Sequence, residues 1–126
     1  MRPHSRRHVF LNLAKIQMPV GALTSILHRI SGVILAASMP AVVYLLGLSI
    51  RDEHGFAQVM GLFAQFAFKT AAVIVVWALA HHLLAGMRHM LSDLGVGSPL
   101  RVARGSGWVV NLAAAALALL AVRTVW

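Results

Sequence analysis

The chain contains no cysteine among its 126 residues. It therefore cannot ligate an iron–sulfur cluster through thiolates, attach a c-type haem covalently or form a disulfide. Any redox group it holds is bound by His, Met or Tyr, or lies partly in another chain. Acidic residues are nearly as scarce: three Asp and Glu stand against eleven Lys and Arg, a formal net charge of +8. Charged residues make up only 11% of the chain, too few to cover a soluble domain, while 60% is hydrophobic and the mean hydropathy is +0.81. These proportions imply an integral membrane protein built from helices, all-α in class. The basic residues sit mainly at the ends of apolar runs rather than on one patch, which argues against a nucleic-acid partner.

What is present is three apolar runs. The first, Ile30 to Ile50, holds 21 residues without a charge and extends back to Pro19 across His28 and Arg29. A helix rising 1.5 Å per residue crosses a hydrocarbon core of roughly 30 Å in about 20 residues, so this run spans. Pro40 inside it suggests a kink. The second run, from Phe56 to Met87, is interrupted by Lys69, His81 and His82 and is longer than a bilayer needs, so part of it should tilt or project. The third, Trp108 to Trp126, is apolar except for Asn111 and Arg123. The expected organisation is one membrane domain: a surface segment 1–18, helix I over 19–50, a loop 51–55, helix II over 56–93, a loop 94–106 rich in Gly, Ser, Pro and Arg, and helix III over 107–126.

Positive charge orients the three helices. Arg2, Arg6, Arg7 and Lys15 precede the first span and Arg88, Arg101 and Arg104 surround the second connection, whereas the first connection has Arg51 beside two acids. The positive-inside rule then places the N-terminus and the second loop in the cytoplasm, with the first loop and the C-terminus facing outward. A cleaved signal peptide is disfavoured, because the apolar run is too long and begins too late.

Ionisable residues inside a membrane are functional candidates by default, since each costs about 2.5 to 3.5 kcal/mol on insertion scales. Ser25, His28, Arg29 and Gly32 fall at i, i+3, i+4 and i+7, and His82, Gly86 and His89 at i, i+4 and i+7, so each set forms one helical stripe. Counted from Pro19 and Asp93, His28 and His82 lie about 13 and 16 Å deep at the helical rise per residue, nearly level. Imidazole is the usual axial ligand of a b-type haem held without covalent bonds. Arg and His can neutralise propionates, and Ser and Arg can donate to a quinone carbonyl. Other readings stay open. Arg29 could snorkel as a surface anchor, His81 and His82 could be polar glue between helices, and Ser25 could bond back to its own helix. The same residues would also serve a haem-free transport or proton-relay subunit.

The motifs "SILHRISG" (25–32) and "HLLAGMRHMLSD" (82–93), three spans in a chain of this length, and an N-terminal "RHVFLNL" resemble the cytochrome b membrane-anchor subunit of bacterial succinate dehydrogenase, respiratory complex II. His8 stands where that family usually has proline after the arginine. The resemblance implies that His82 is an axial haem ligand, with the second ligand from a partner anchor subunit, and that His81 is a rival only by adjacency. It implies that Ser25 and Arg29 line a ubiquinone site near the iron–sulfur subunit, and that His28, with Arg29 and His89, lies in the haem vicinity. Arg88, His89 and Asp93 would border the cytoplasmic end of the site, with Arg88 and Asp93 where protons enter. FAD and iron–sulfur clusters would belong to the flavoprotein and iron–sulfur partner subunits, and the location would be the bacterial inner membrane. This chain alone would have no catalytic activity.

Overall fold

A computed structural model of the chain describes residues 18–126. The expected surface segment 1–18, with "RHVFLNL", His8 and the basic residues Arg2, Arg6, Arg7 and Lys15, lies outside the described residues except for Met18. Four helices follow in order: α1 Val20–Arg51, α2 Glu53–Leu62, α3 Phe66–Asp93 and α4 Leu100–Val125. Three of them, α1, α3 and α4, are long and apolar enough to cross a membrane. At 32, 28 and 26 residues they are about 48, 42 and 39 Å long, each more than the hydrocarbon core requires. α1 continues through Pro40 without a break in helix.

The connections differ from the composition-based reading, each for a local reason. The polar stretch 51–55 contracts to Asp52 alone, which is extended between α1 and α2. Its Oδ1 accepts from the Gly55 N–H at 2.6 Å and its Oδ2 from Arg51 Nε at 2.8 Å, so one carboxylate caps α2 and pairs with the end of α1. Those partners, the Gly55 N–H first and Arg51 second, hold the Asp52 carboxyl below the usual carboxylate range. Gly55 is buried, and a Cβ there would run into the Leu48 carbonyl of α1.

The second span, expected as one helix over 56–93, is two. Phe63, Ala64 and Gln65 each donate to the carbonyl three residues back, at 3.1, 3.2 and 3.0 Å, and Gln65 then turns extended before α3. The tightened turn separates α2 from α3, which takes the excess length of the apolar run out of the spanning helix. The loop expected over 94–106 is only 94–99. α3 ends in a Schellman motif: Gly95 takes φ +77° and donates to Ser92 at 3.0 Å, and Val96 donates to Leu91 at 2.9 Å. Pro99 starts α4 seven residues earlier than polarity suggested, because Arg88 on α3 holds its first turns: Nε donates to Ser106 Oγ and Nη2 to the Ala103 carbonyl, both at 3.0 Å.

α3 packs against both α1 and α4, and α4 also touches α1, while α2 rests on α1. The fully buried positions are small or polar: Ala78, Ala85, Ala114, Thr24, Ser31 and His81. Large side chains such as Leu79, Leu83, Leu119 and Leu120 are exposed instead. That inversion is what a bilayer demands: lipid solvates leucine as well as protein does, so helices associate through close approach of small residues and polar contacts. At the end opposite the polar stripes, Trp126 closes the bundle over Lys69 Nζ, 5.4 Å from the ring centroid, and lies edge-on to Phe66 at 5.8 Å.

Candidate functional site

The two stripes face each other across the α1–α3 contact. His28 stacks on His82 with ring centroids 4.2 Å apart and planes inclined by 18°, and His89 lies 5.2 Å from His28 on the next turns of α3. All three imidazoles are half-buried. The close approach depends on Gly32: a Cβ there would lie 3.0 Å from His82 Cε1 and 3.3 Å from Nδ1. At Gly86 an added Cβ would meet only His28 Nε2, at an ordinary 3.5 Å. Gly32 thus makes room for the His82 ring itself.

His82 Nδ1 lies 3.2 Å from the His28 carbonyl and 3.3 Å from Ser31 Oγ. The carbonyl only accepts, so Nδ1 carries the proton and donates, which leaves Nε2 as the ring's lone-pair nitrogen. Ser31 is itself fixed by donating to the same carbonyl at 2.8 Å. Nε2 makes no hydrogen bond among the described residues and is not among the buried unpartnered atoms. An imidazole with one nitrogen tied to a backbone carbonyl and the other free is how a protein presents a metal ligand.

His81, one residue away, is placed differently. It has no exposed surface, and its Nε2 lies 3.1 Å from Asn111 Oδ1 on α4. Thr24 of α1 converges on the same oxygen at 3.3 Å while donating to the Val20 carbonyl at 2.9 Å. A Cβ at Gly107 would meet Thr24 Oγ1 at 3.3 Å, so that glycine sets the α1–α4 approach.

The remaining stripe residues separate. Ser25 is half-buried, and alone among the serines and threonines of α1 it makes no hydrogen bond among the described residues; Thr24, Ser31, Ser38 and Ser49 all bond back to their own helix. Arg29 is exposed with no ion pair among the described residues. Asp93 is exposed at the last residue of α3. Arg88 is not brought to the imidazoles, since its guanidinium is engaged by Ala103 and Ser106 of α4. An apolar cavity of about 450 Å³ lies towards the opposite end of the α1–α3 contact, lined by residues including Leu45, Phe63, Phe68 and Val75. Its two serines, Ser38 and Ser49, are back-bonded, so it offers hydrocarbon and no donor.

With this geometry in view, comparison with known sequences is decisive. The profile of the succinate dehydrogenase/fumarate reductase transmembrane subunit matches residues 3–121. The chain belongs to that family. Among succinate dehydrogenase transmembrane subunits it is similar to proteins named succinate dehydrogenase cytochrome b556 subunit. That of Coxiella burnetii is 33% identical over 124 residues, 98% of this chain and 99% of the relative. That of Paracoccus denitrificans is 31% identical over 112 residues, 86% and 84%, and that of Rickettsia felis 28% over 121 residues, 93% and 91%. The family is a transmembrane one, in keeping with the three helices long enough to span. Reasoning from stripes alone missed four members of this subunit's polar interior: Thr24, Ser31, Gly107 and Asn111. Ser31 lies within "SILHRISG", three residues after His28, and Asn111 was visible as a lone amide in an apolar run, but only helix contacts reveal which histidine each one meets.

Proposed function

We propose that this chain is the cytochrome b membrane anchor of a bacterial succinate:ubiquinone oxidoreductase. In this reading it supplies His82 as one axial ligand of a haem b shared with a second anchor subunit. Ser25 and Arg29 form part of the ubiquinone site beside the iron–sulfur subunit, and the flavoprotein subunit with its FAD completes the complex. The observation that carries the reading is the state of His82: Nδ1 donates to the His28 carbonyl, and Nε2 is left unpartnered among the described residues, at the close approach of α1 and α3. Iron held in a macrocycle needs a ligand of this kind and no protein cage. The relatives' shared name, cytochrome b556 subunit, supports the same group.

Haem b, when bound, supplies a one-electron carrier near the quinone. The residues of this chain have separate tasks around it. Ser31 and the His28 carbonyl hold the His82 ring in one tautomer and orientation. The His28 and His89 rings border that site and are suited to a propionate. The Ser25 hydroxyl, uncommitted to its own helix, can donate to a ubiquinone carbonyl, and the Arg29 guanidinium adds fixed positive charge where negative charge grows on reduction. Reduction to the quinol takes two electrons and two protons; Asp93, exposed at the end of α3, is suited to admit protons from the cytoplasm, while Arg88 braces that end of the bundle. The N-terminus would lie in the cytoplasm and the C-terminus in the periplasm of an inner-membrane complex.

The test is the reduced-minus-oxidised spectrum of the complex after mild detergent extraction. A b-type spectrum that disappears in His82→Ala and persists in His81→Ala supports the reading. A wild-type complex without b-type haem, or an unchanged spectrum in His82→Ala, overturns it and favours a haem-free relay built on the same imidazoles.

A further inference from the structure

We propose that Asn111 is a positioning residue: through His81 it sets the rotation of α3 about its own axis, and with it the direction in which His82 presents Nε2. The proposal rests on His82 being the haem ligand. His81 and His82 are consecutive, so they point about 100° apart around α3 and turn together. One is anchored to α4 and the other faces α1.

Apart from Arg88, which ties α3 to Ser106 and Ala103 of α4 two turns further along, little else fixes that rotation beside the histidines. The buried positions of α3 besides His81 are Ala78 and Ala85, smooth surfaces that slide, and the large side chains face lipid, which receives them equally well at any angle. The directional contacts on the His82 side are long, 3.2 and 3.3 Å. On the other side His81 Nε2 meets Asn111 Oδ1 at 3.1 Å with the whole ring buried, where a misdirected polar group finds no water to replace its partner. Thr24 reaches the same amide oxygen, so Asn111 ties α1, α3 and α4 at one point. The leverage is considerable. Side-chain tips lie about 5 to 6 Å from a helix axis, so a 20° rotation moves the His82 ring by roughly 2 Å. That displacement ends both Nδ1 contacts.

The experiment uses the assembled complex and three variants, Asn111→Leu, His81→Phe and the double mutant, with wild type and His82→Ala as references. Asn111→Leu strands His81 Nε2 in the bundle and lowers complex yield; removing both polar partners leaves nothing stranded and restores assembly. If the pair only glues helices together, the double mutant regains wild-type haem behaviour along with assembly. If Asn111 aims His82, the double mutant assembles yet shows a shifted low-spin ferric resonance, a shifted midpoint potential and roughly tenfold faster haem loss, the scale seen when support around a metal ligand is removed. Wild-type resonance and potential in the double mutant overturn the proposal. So does a double mutant that assembles no better than Asn111→Leu, because the two side chains are then not each other's partner. His82→Ala separates the layers: haem retained there refutes the ligand reading itself, whereas haem lost there with a wild-type double mutant refutes only the role of Asn111.

Discussion

Replacing Gly32 by alanine tests the arrangement of the site with a single methyl group. The added Cβ would stand 3.0 Å from His82 Cε1 and 3.3 Å from Nδ1, while carbon atoms in comfortable contact lie about 3.5 to 4.0 Å apart. The ring must therefore retreat from α1 by about half an ångström to restore ordinary contact. The His28 carbonyl is also on α1, so the retreat lengthens the 3.2 Å Nδ1 contact to about 3.7 Å, beyond hydrogen-bonding range. Overpacking of this kind costs about 1 to 3 kcal/mol, and loss of the bond that orients a metal-binding imidazole typically weakens the metal site 10- to 100-fold. The expected result for Gly32→Ala is an assembled complex with much lower haem occupancy, measured as haem per flavin and as haem retained on prolonged detergent dialysis. Gly86→Ala is the control: its methyl would meet His28 Nε2 at 3.5 Å and should leave occupancy within about twofold of wild type, because ordinary contact carries no overpacking penalty. Equal haem retention in the two alanine variants would refute the argument that Gly32 exists to admit the His82 ring.

Two further outcomes follow from the same structure. Ser25→Ala and Arg29→Lys should each depress succinate-dependent quinone reduction roughly tenfold or more while leaving succinate oxidation by an artificial acceptor and haem content intact, since they remove a donor or the planar fork at the quinone and nothing from His82; parallel loss of both activities would point to assembly instead. Asp52 carries the pH dependence. Its carboxyl is held below the usual range by the Gly55 N–H and then by Arg51, so its contribution to the α1–α2 junction is present above the ordinary carboxylate pKa and lost as pH falls through the lowered one. Protection of the Gly55 and Phe56 amides, taken relative to the intrinsic exchange rate at each pH, should therefore fall on acidification below about pH 4, and Asp52→Asn should flatten that dependence; an unchanged acid response in Asp52→Asn would exclude the cap as its origin.

The sequence by itself determined the class and the chemistry on offer. Missing cysteines, scarce acids and three long apolar runs admit few structures other than membrane helices, because a bilayer punishes both unpaired charge and unpaired backbone. Helical periodicity also put His28 and His82 on defined stripes at nearly equal depth, since rise and turn per residue are constants of the helix. The turn at Phe63–Gln65 was not legible, because "LFAQF" carries no proline or charge to mark it, and the early start of α4 depends on Arg88 reaching Ala103 and Ser106 across a helix interface. The motif resemblance singled out His82; only the tertiary structure shows, in physical terms, how the two adjacent histidines differ. Identical side chains one residue apart have the same propensity and hydropathy; what separates them is which neighbour each meets. Asn111 takes His81 into the bundle, and the His28 carbonyl orients His82 while leaving its other nitrogen unengaged among the described residues. Those are contacts between residues 30 and 54 positions apart, set by how three helices rotate against one another, and rotation is not a property of any one helix.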